Sequence, residues 1–101
     1  MEIIIKPRGE GKTTSLIRKS YDNNNYIVCH NQQECSRIQM VAKELGYNIP
    51  FPITYSEFLG KKYYGLGIKG FMIDNLEIFL QYLTNVPITC VTINSNKEIN
   101  D

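Results

Sequence analysis

The sequence lacks the residues and segments that several classes of protein require. It has one histidine and three cysteines, none of them in a Cys-x-x-Cys pair, so a tetrahedral zinc site has too few ligands. No stretch approaches the roughly 18 apolar residues that span a membrane, and no secretory leader pattern opens the chain. Eleven basic and ten acidic residues leave a net charge of +1, so binding of a polyanion would depend on a local group of basic residues and not on the overall charge. We therefore expect a protein of the cytoplasm.

The order of apolar runs and turn residues predicts one α/β domain. Strands are expected where short apolar runs occur, at 2–5, 26–29, 71–74 and 88–93, with a weaker edge strand at 50–54. Helices are expected at 12–21 and at 76–83, and another is expected from a cap at Asn31 to Gly46. A single helical turn is expected after a cap at Ser56. Strands that alternate with helices imply a small, mainly parallel sheet with helices on both faces, a three-layer sandwich. This domain is predicted to occupy residues 1–94, with a polar tail at 95–101.

The residues after the first strand predict a phosphate-binding loop. Gly11-Lys12-Thr13 matches the last three positions of G-x-x-x-x-G-K-[ST], although Lys6 stands where the first glycine is expected. Gly9 and Gly11 allow positive φ and a close approach to phosphate, and the first N–H groups of a helix point at an anion. We expect Lys12 to neutralise the phosphates and the Thr13 hydroxyl to bind magnesium. A glycine-rich turn with an exposed lysine is the alternative.

An apolar strand that ends in a carboxylate predicts the second half of such a site. Phe71-Met72-Ile73-Asp74 has this form. The carboxyl ends of parallel strands meet at one edge of a sheet, so we expect Asp74 near Thr13, where it holds Mg²⁺. Its alternative role is to cap the helix that follows.

Together the two motifs resemble those of the P-loop NTPases, in particular the additional-strand class with helicases, RecA-like ATPases and phage terminases. The resemblance implies binding of ATP, or of GTP, with Mg²⁺. ATP is preferred because Asn96-Lys97-Glu98-Ile99 lacks the aspartate of the GTPase motif Asn-Lys-x-Asp. The nucleotide contacts implied are those of the loop and the helix start, Arg8, Gly9, Glu10, Gly11, Lys12, Thr13 and Thr14. Family analogy also places the strand at 88–93 between the two motif strands, with Asn94 or Thr92 as a sensor of the γ-phosphate.

The sequence departs from the hydrolysing members of that family. Asn75 stands where they carry a glutamate after the aspartate, and an amide cannot accept a proton from water. Glu77, one helical turn from Asp74, and Glu10 are the candidate replacements. Lys12 is expected to carry transition-state charge, so slow hydrolysis of a phosphoanhydride is predicted. The length of 101 residues leaves no room for a second lobe, which predicts that the chain alone is no motor.

Two other functions stay open on the sequence. One is a degenerate P-loop module that binds or inhibits a protein partner without turnover. The resemblance implies that it is phage-encoded, in which case the host cytoplasm is its expected location. The other is a subunit of a nucleic-acid-dependent ATPase. Its single-stranded nucleic-acid contacts would be basic and aromatic residues in the stretch 61–69, namely Lys61, Lys62, Tyr63, Tyr64 and Lys69.

Overall fold

The computed structural model describes residues 1–7, 9, 11–63, 67–94 and 99–100, the last pair by its backbone alone. Within these ranges strands and helices alternate, as predicted. The elements are β1 (Ile3–Ile4), α1 (Lys12–Asn23), β2 (Asn25–Cys29), α2 (Gln32–Leu45), β3 (Ile53–Thr54), α3 (Tyr55–Leu59), β4 (Gly70–Ile73), α4 (Leu76–Tyr82) and β5 (Ile99–Asn100). None of the helices in the described ranges is long and apolar enough to cross a membrane.

Three of the strands form a parallel sheet in which β2 is central. The order is β3-β2-β4, and Val28 lies opposite both Ile53 and Ile73. The backbone N–H of Asp74 continues the ladder by donating to the carbonyl oxygen of Val28 at 3.0 Å. This bond places Asp74 at the carboxyl edge of the sheet, next to the point where α2 follows β2.

Alternate residues of β2 build apolar clusters on the two faces of the sheet. Ile27 and Cys29 pack in a cluster with residues of α1 and α2, among them the fully buried Ile17 and Ile38. Val28 packs in the other cluster, which the following helices complete with the side chains of Tyr55, Phe58 and Phe79. Helices therefore cover both faces of the sheet, as the alternation of elements predicted.

The ends of α2 match the predicted caps, whereas the start of α3 differs from the prediction. Asn31 accepts a hydrogen bond from the Glu34 N–H at 2.9 Å, and α2 ends at Gly46 with φ of 82°, so both predicted ends are confirmed. The short helix α3 begins earlier than predicted, because its cap is Thr54 and not Ser56. Thr54 and Glu57 form a reciprocal capping box with bonds of 2.8 and 3.1 Å.

The predicted strand at 88–93 is wrong. That segment has no regular structure and is exposed. The expected sheet, in which this strand separates the strands before the two motifs, is also wrong, because β4 pairs with β2 and β1 pairs in parallel with β5 in a second sheet. The side chain of Gln81 explains part of this outcome, since it accepts from the Ile88 N–H at 2.9 Å and donates to the Val86 carbonyl oxygen at 2.9 Å. These bonds hold the segment beside α4. A β-branched run indicates strand propensity, but a strand also needs a paired neighbour.

Candidate phosphate-binding site

The start of α1 has the backbone geometry that an anion site requires. Gly9 and Gly11 have φ of 81° and 79°, a region that residues with a Cβ rarely adopt. The first helical hydrogen bond of this turn runs from the Ser15 N–H to the Gly11 carbonyl oxygen at 3.0 Å, and α1 has no side-chain cap. As far as the described residues are concerned, the N–H groups of the first turn are therefore available to an external acceptor.

A cavity of about 430 Å³ opens in front of this turn. Its lining comes from α1 and the loop before it, from the first two turns of α2, and from the junction of β4 with α4. The lining residues are Gly9, Gly11, Lys12, Thr13, Glu34, Arg37, Asp74, Asn75 and Ile78. The structure thus brings together Lys12, Thr13 and Asp74, as the sequence predicted. The volume falls within the range of small-ligand sites.

Asp74 is the buried carboxylate of the cavity, with only 8% of its surface exposed. Burial raises the pKa of its carboxyl above the ordinary value, because the charged form loses hydration. The positive charges of Lys12 and Arg37 oppose this shift, and so does a backbone hydrogen bond from Asn75, without cancelling it. A divalent cation beside Asp74 would compensate the buried charge directly.

Lys12 and Asn75 contact each other across the cavity. The Lys12 ammonium donates to the Asn75 side-chain oxygen at 3.0 Å. Asn75 itself has φ of 60° and ψ of 77°, a left-handed conformation that asparagine tolerates better than most residues. Asn75 therefore orients the lysine, which is a role that an amide oxygen can perform and that the sequence alone did not indicate.

Tyr55 fixes the junction that carries Asp74 and Asn75. Its side chain is fully buried, and its hydroxyl donates to the carbonyl oxygens of Asp74 at 2.6 Å and Asn75 at 3.3 Å. The ring packs edge-on against Phe79 with 5.0 Å between centroids. Sequence reasoning missed this residue, since nothing local to α3 indicates contact with a junction 19 positions away.

Replacing Tyr55 by phenylalanine is expected to destabilise the fold by about 1–2 kcal/mol. The apolar contacts remain, but the Asp74 carbonyl oxygen loses its hydroxyl donor in a buried place. The free energy of unfolding in urea measures this loss, with Tyr21→Phe on the exposed side of α1 as the matched control. Equal unfolding midpoints for Tyr55→Phe and the wild type would contradict the assigned contact.

Glu34 and Arg37 are the site residues that the sequence motifs did not include. The Arg37 guanidinium donates to the Glu34 carboxylate from Nε at 2.8 Å and from Nη2 at 3.0 Å. Arg37 Nη2 also donates to the Thr13 hydroxyl at 3.3 Å. The ion pair lowers the pKa of Glu34 and raises that of Arg37, and these hydrogen bonds are the largest cause of both shifts. The available signal was topological, because α2 begins at the carboxyl end of the central strand, where ligands of α/β proteins bind.

The other predicted site residues lie elsewhere or outside the described part of the chain. Arg8 and Glu10 lie outside the described residues. Thr14 is half-buried on α1 and Glu77 is exposed on α4, where Ile78 and not Glu77 lines the cavity. Asn94 is exposed and follows no strand, so the strand-end position expected for a sensor is wrong. The roles proposed for Thr14 and Glu77 stay predictions.

The basic and aromatic stretch at 61–69 is only partly described, since Tyr64 lies outside the described residues. Lys62 and Tyr63 line a second cavity of about 300 Å³, together with Phe51 and other residues at the edge strand β3. The Tyr63 ring packs edge-on against Phe71, with centroids 4.9 Å apart, so part of its surface is used within the fold. Lys61 and Lys69 are exposed and do not line this cavity. Contact with single-stranded nucleic acid stays a prediction.

The donor set of the larger cavity fits Mg²⁺ that is also bound by phosphate, and does not fit a metal ion held by protein ligands alone. Asp74 and Thr13 offer a carboxylate and a hydroxyl, both oxygen donors of the kind that Mg²⁺ prefers. The described residues contain no group of three histidine, cysteine or acidic side chains close enough to hold a metal by themselves. A cation shared between one carboxylate, one hydroxyl and bound phosphates agrees with this arrangement.

The chain matches no protein-family model, no curated protein and no solved structure. Its function is therefore inferred from the geometry and chemistry of the site.

Proposed function

We propose that the chain binds a nucleoside triphosphate, ATP in preference to GTP, at the cavity in front of α1. The observation that carries this proposal is the convergence of Lys12, Thr13 and Asp74 on one cavity at a helix N-terminus with two left-handed glycines. Free N–H groups, an ammonium and a hydroxyl suit phosphate oxygens. The preference for ATP comes from the sequence resemblance alone.

The charges of the cavity support a requirement for Mg²⁺. Two cationic side chains, Lys12 and Arg37, face two acidic ones, Glu34 and Asp74. When all four are ionised the lining carries no net formal charge, so it does not compensate a triphosphate. A divalent cation held by Thr13 and Asp74 would supply the missing positive charge and polarise the phosphate oxygens.

Turnover is proposed to be slow. Lys12 is placed to stabilise negative charge on phosphate, which favours in-line attack by water. Among the described residues, the cavity offers little to take the proton from that water, since the Glu34 carboxylate is paired with Arg37, which lowers its pKa. Asn75 has no basic group and its amide oxygen is engaged with Lys12, while Glu77 is exposed outside the cavity lining.

A thermal-shift titration tests the proposal. ATP with Mg²⁺ at about 100 times its dissociation constant is expected to stabilise the fold by about 2.7 kcal/mol, and ATP without Mg²⁺ by clearly less. Release of inorganic phosphate measured on the same samples then separates binding from turnover. No stabilisation by ATP or GTP at millimolar concentration, with Mg²⁺ present, would contradict nucleotide binding.

One observation favours the second function, that of a module that binds a protein partner without turnover. Apolar side chains are exposed along α4 and the segment after it, with Leu83 at 52% and Val86 at 67% of their surface accessible. Contiguous exposed apolar surface is typical of protein interfaces. Nucleotide binding without any phosphate release would favour this function over that of an ATPase.

A further inference from the structure

The Arg37 guanidinium is held at the mouth of the proposed nucleotide site by two different contacts. Glu34 binds it from the same helix through two nitrogens, and the Thr13 hydroxyl accepts from it at 3.3 Å across the cavity. Arg37 is 48% exposed in its side chain, so it can turn toward a ligand without unfolding α2. Among the described residues, its Nη1 has no hydrogen-bond partner.

From this geometry we infer that Arg37 binds the terminal phosphate of a nucleoside triphosphate and is the residue that distinguishes triphosphate from diphosphate. This inference rests on the proposed nucleotide-binding function. Lys12 leads the helix whose N-terminus cradles phosphate, whereas Arg37 reaches the cavity from α2 and contacts Thr13, the expected magnesium ligand. A planar guanidinium with donors left over is suited to bind phosphate oxygens in pairs.

Glu34 is a positioning residue for this contact. Its carboxylate engages Nε and Nη2 of Arg37, which orients the guanidinium and leaves Nη1 without a recorded partner among the described residues. The contact with Thr13 is long for a hydrogen bond and uses a neutral acceptor, so a phosphate oxygen is the stronger partner. Arg37 then exchanges Thr13 for phosphate, and the Thr13 hydroxyl oxygen becomes available to Mg²⁺.

Binding of a non-hydrolysable ATP analogue and of ADP, each with Mg²⁺, tests the inference by calorimetry. Arg37→Ala is expected to weaken binding of the ATP analogue by about 10- to 100-fold. Its affinity for ADP should stay within about twofold of the wild type. Arg37→Lys should recover only part of the loss, because an ammonium lacks the paired donors. Arg18→Ala, at an exposed position of α1, is the matched control and should bind both ligands as the wild type does.

The outcomes separate the inference from the proposed function. If the wild type binds neither ligand, nucleotide binding fails and the inference fails with it. The inference also fails if the wild type binds both ligands and Arg37→Ala changes the two affinities by the same factor or changes neither. Arg37 then does not distinguish triphosphate from diphosphate. Glu34→Gln supplies an independent readout, since loss of the orienting carboxylate should lower affinity for the ATP analogue more than for ADP.

Discussion

Replacing Lys12 by alanine is expected to weaken Mg²⁺-dependent binding of ATP by about 10- to 100-fold. The ammonium lies at the N-terminus of α1 and donates to the Asn75 side-chain oxygen at 3.0 Å, which holds it toward the cavity. Its removal takes one of the two cations from the lining. Affinity measured by calorimetry for ATP and for ADP is expected to fall for both ligands, in contrast to the effect of Arg37→Ala.

The control for this prediction is Lys43→Ala, which removes the same charge from an exposed position in the last turn of α2. It is expected to leave both affinities unchanged, so that a loss in Lys12→Ala cannot come from net charge alone. The unfolding midpoint of each variant without nucleotide shows whether the fold is intact. A folded Lys12→Ala protein that binds ATP like the wild type would contradict the assigned phosphate contact.

Replacing Asp74 by asparagine is expected to change stability and nucleotide binding in opposite directions. The carboxylate is buried, and burial together with the negative charge of Glu34 raises its pKa more than Lys12 and Arg37 lower it, so its ionised form costs the native state free energy. A neutral amide of the same size removes that cost, and the unfolding midpoint at neutral pH should rise. The same change removes the negative carboxylate oxygen that is proposed to hold Mg²⁺, and the affinity for ATP with Mg²⁺ should fall at least about tenfold.

The pH dependence of unfolding identifies the carboxyl as the cause. A raised native pKa means that the stability present below the ordinary carboxyl pKa is lost as the pH rises through the native value. The wild type should therefore lose stability relative to Asp74→Asn over that interval, and the difference between them should level off at higher pH. Asp22→Asn, at an exposed position of α1, is the matched control. A difference that stays constant from pH 4 to pH 8 would contradict the raised pKa.

The elements around the site were predictable because their signals are local. Asn31 and Gly46 bound α2 through their own side chain and backbone, and the glycines before α1 have the positive φ that the loop pattern requires. Lys12, Thr13 and Asp74 do line one cavity, but β1 pairs with β5 and not in the sheet that holds β4, so the shared sheet edge on which the prediction rested is not the reason. The start of α1 is positioned there by the packing of this helix on β2 and α2.

The remaining features depend on contacts between distant parts of the chain. The Tyr55 hydroxyl donates to the β4–α4 junction, and Arg37 donates to Thr13 from another helix. Neither contact has a pattern in the local sequence that would predict it. The segment 88–93 shows the opposite case, because its sequence strongly favours a strand but the described part of the chain places no other strand beside it for pairing. Gln81 takes the Ile88 N–H that a sheet would have used, and the exposed apolar side chains that result were not predictable from the run itself.

Amide chemical shifts followed by NMR during titration with ATP and Mg²⁺ test the central claim most directly. If the phosphates bind at the start of α1, the largest shifts will occur at Gly9, Gly11, Lys12 and Thr13, with smaller ones at Asp74 and Asn75. These shifts should saturate together and require Mg²⁺. Shifts confined to the cavity beside Lys62 and Tyr63, or no shifts at millimolar ATP, would contradict a phosphate site in front of α1.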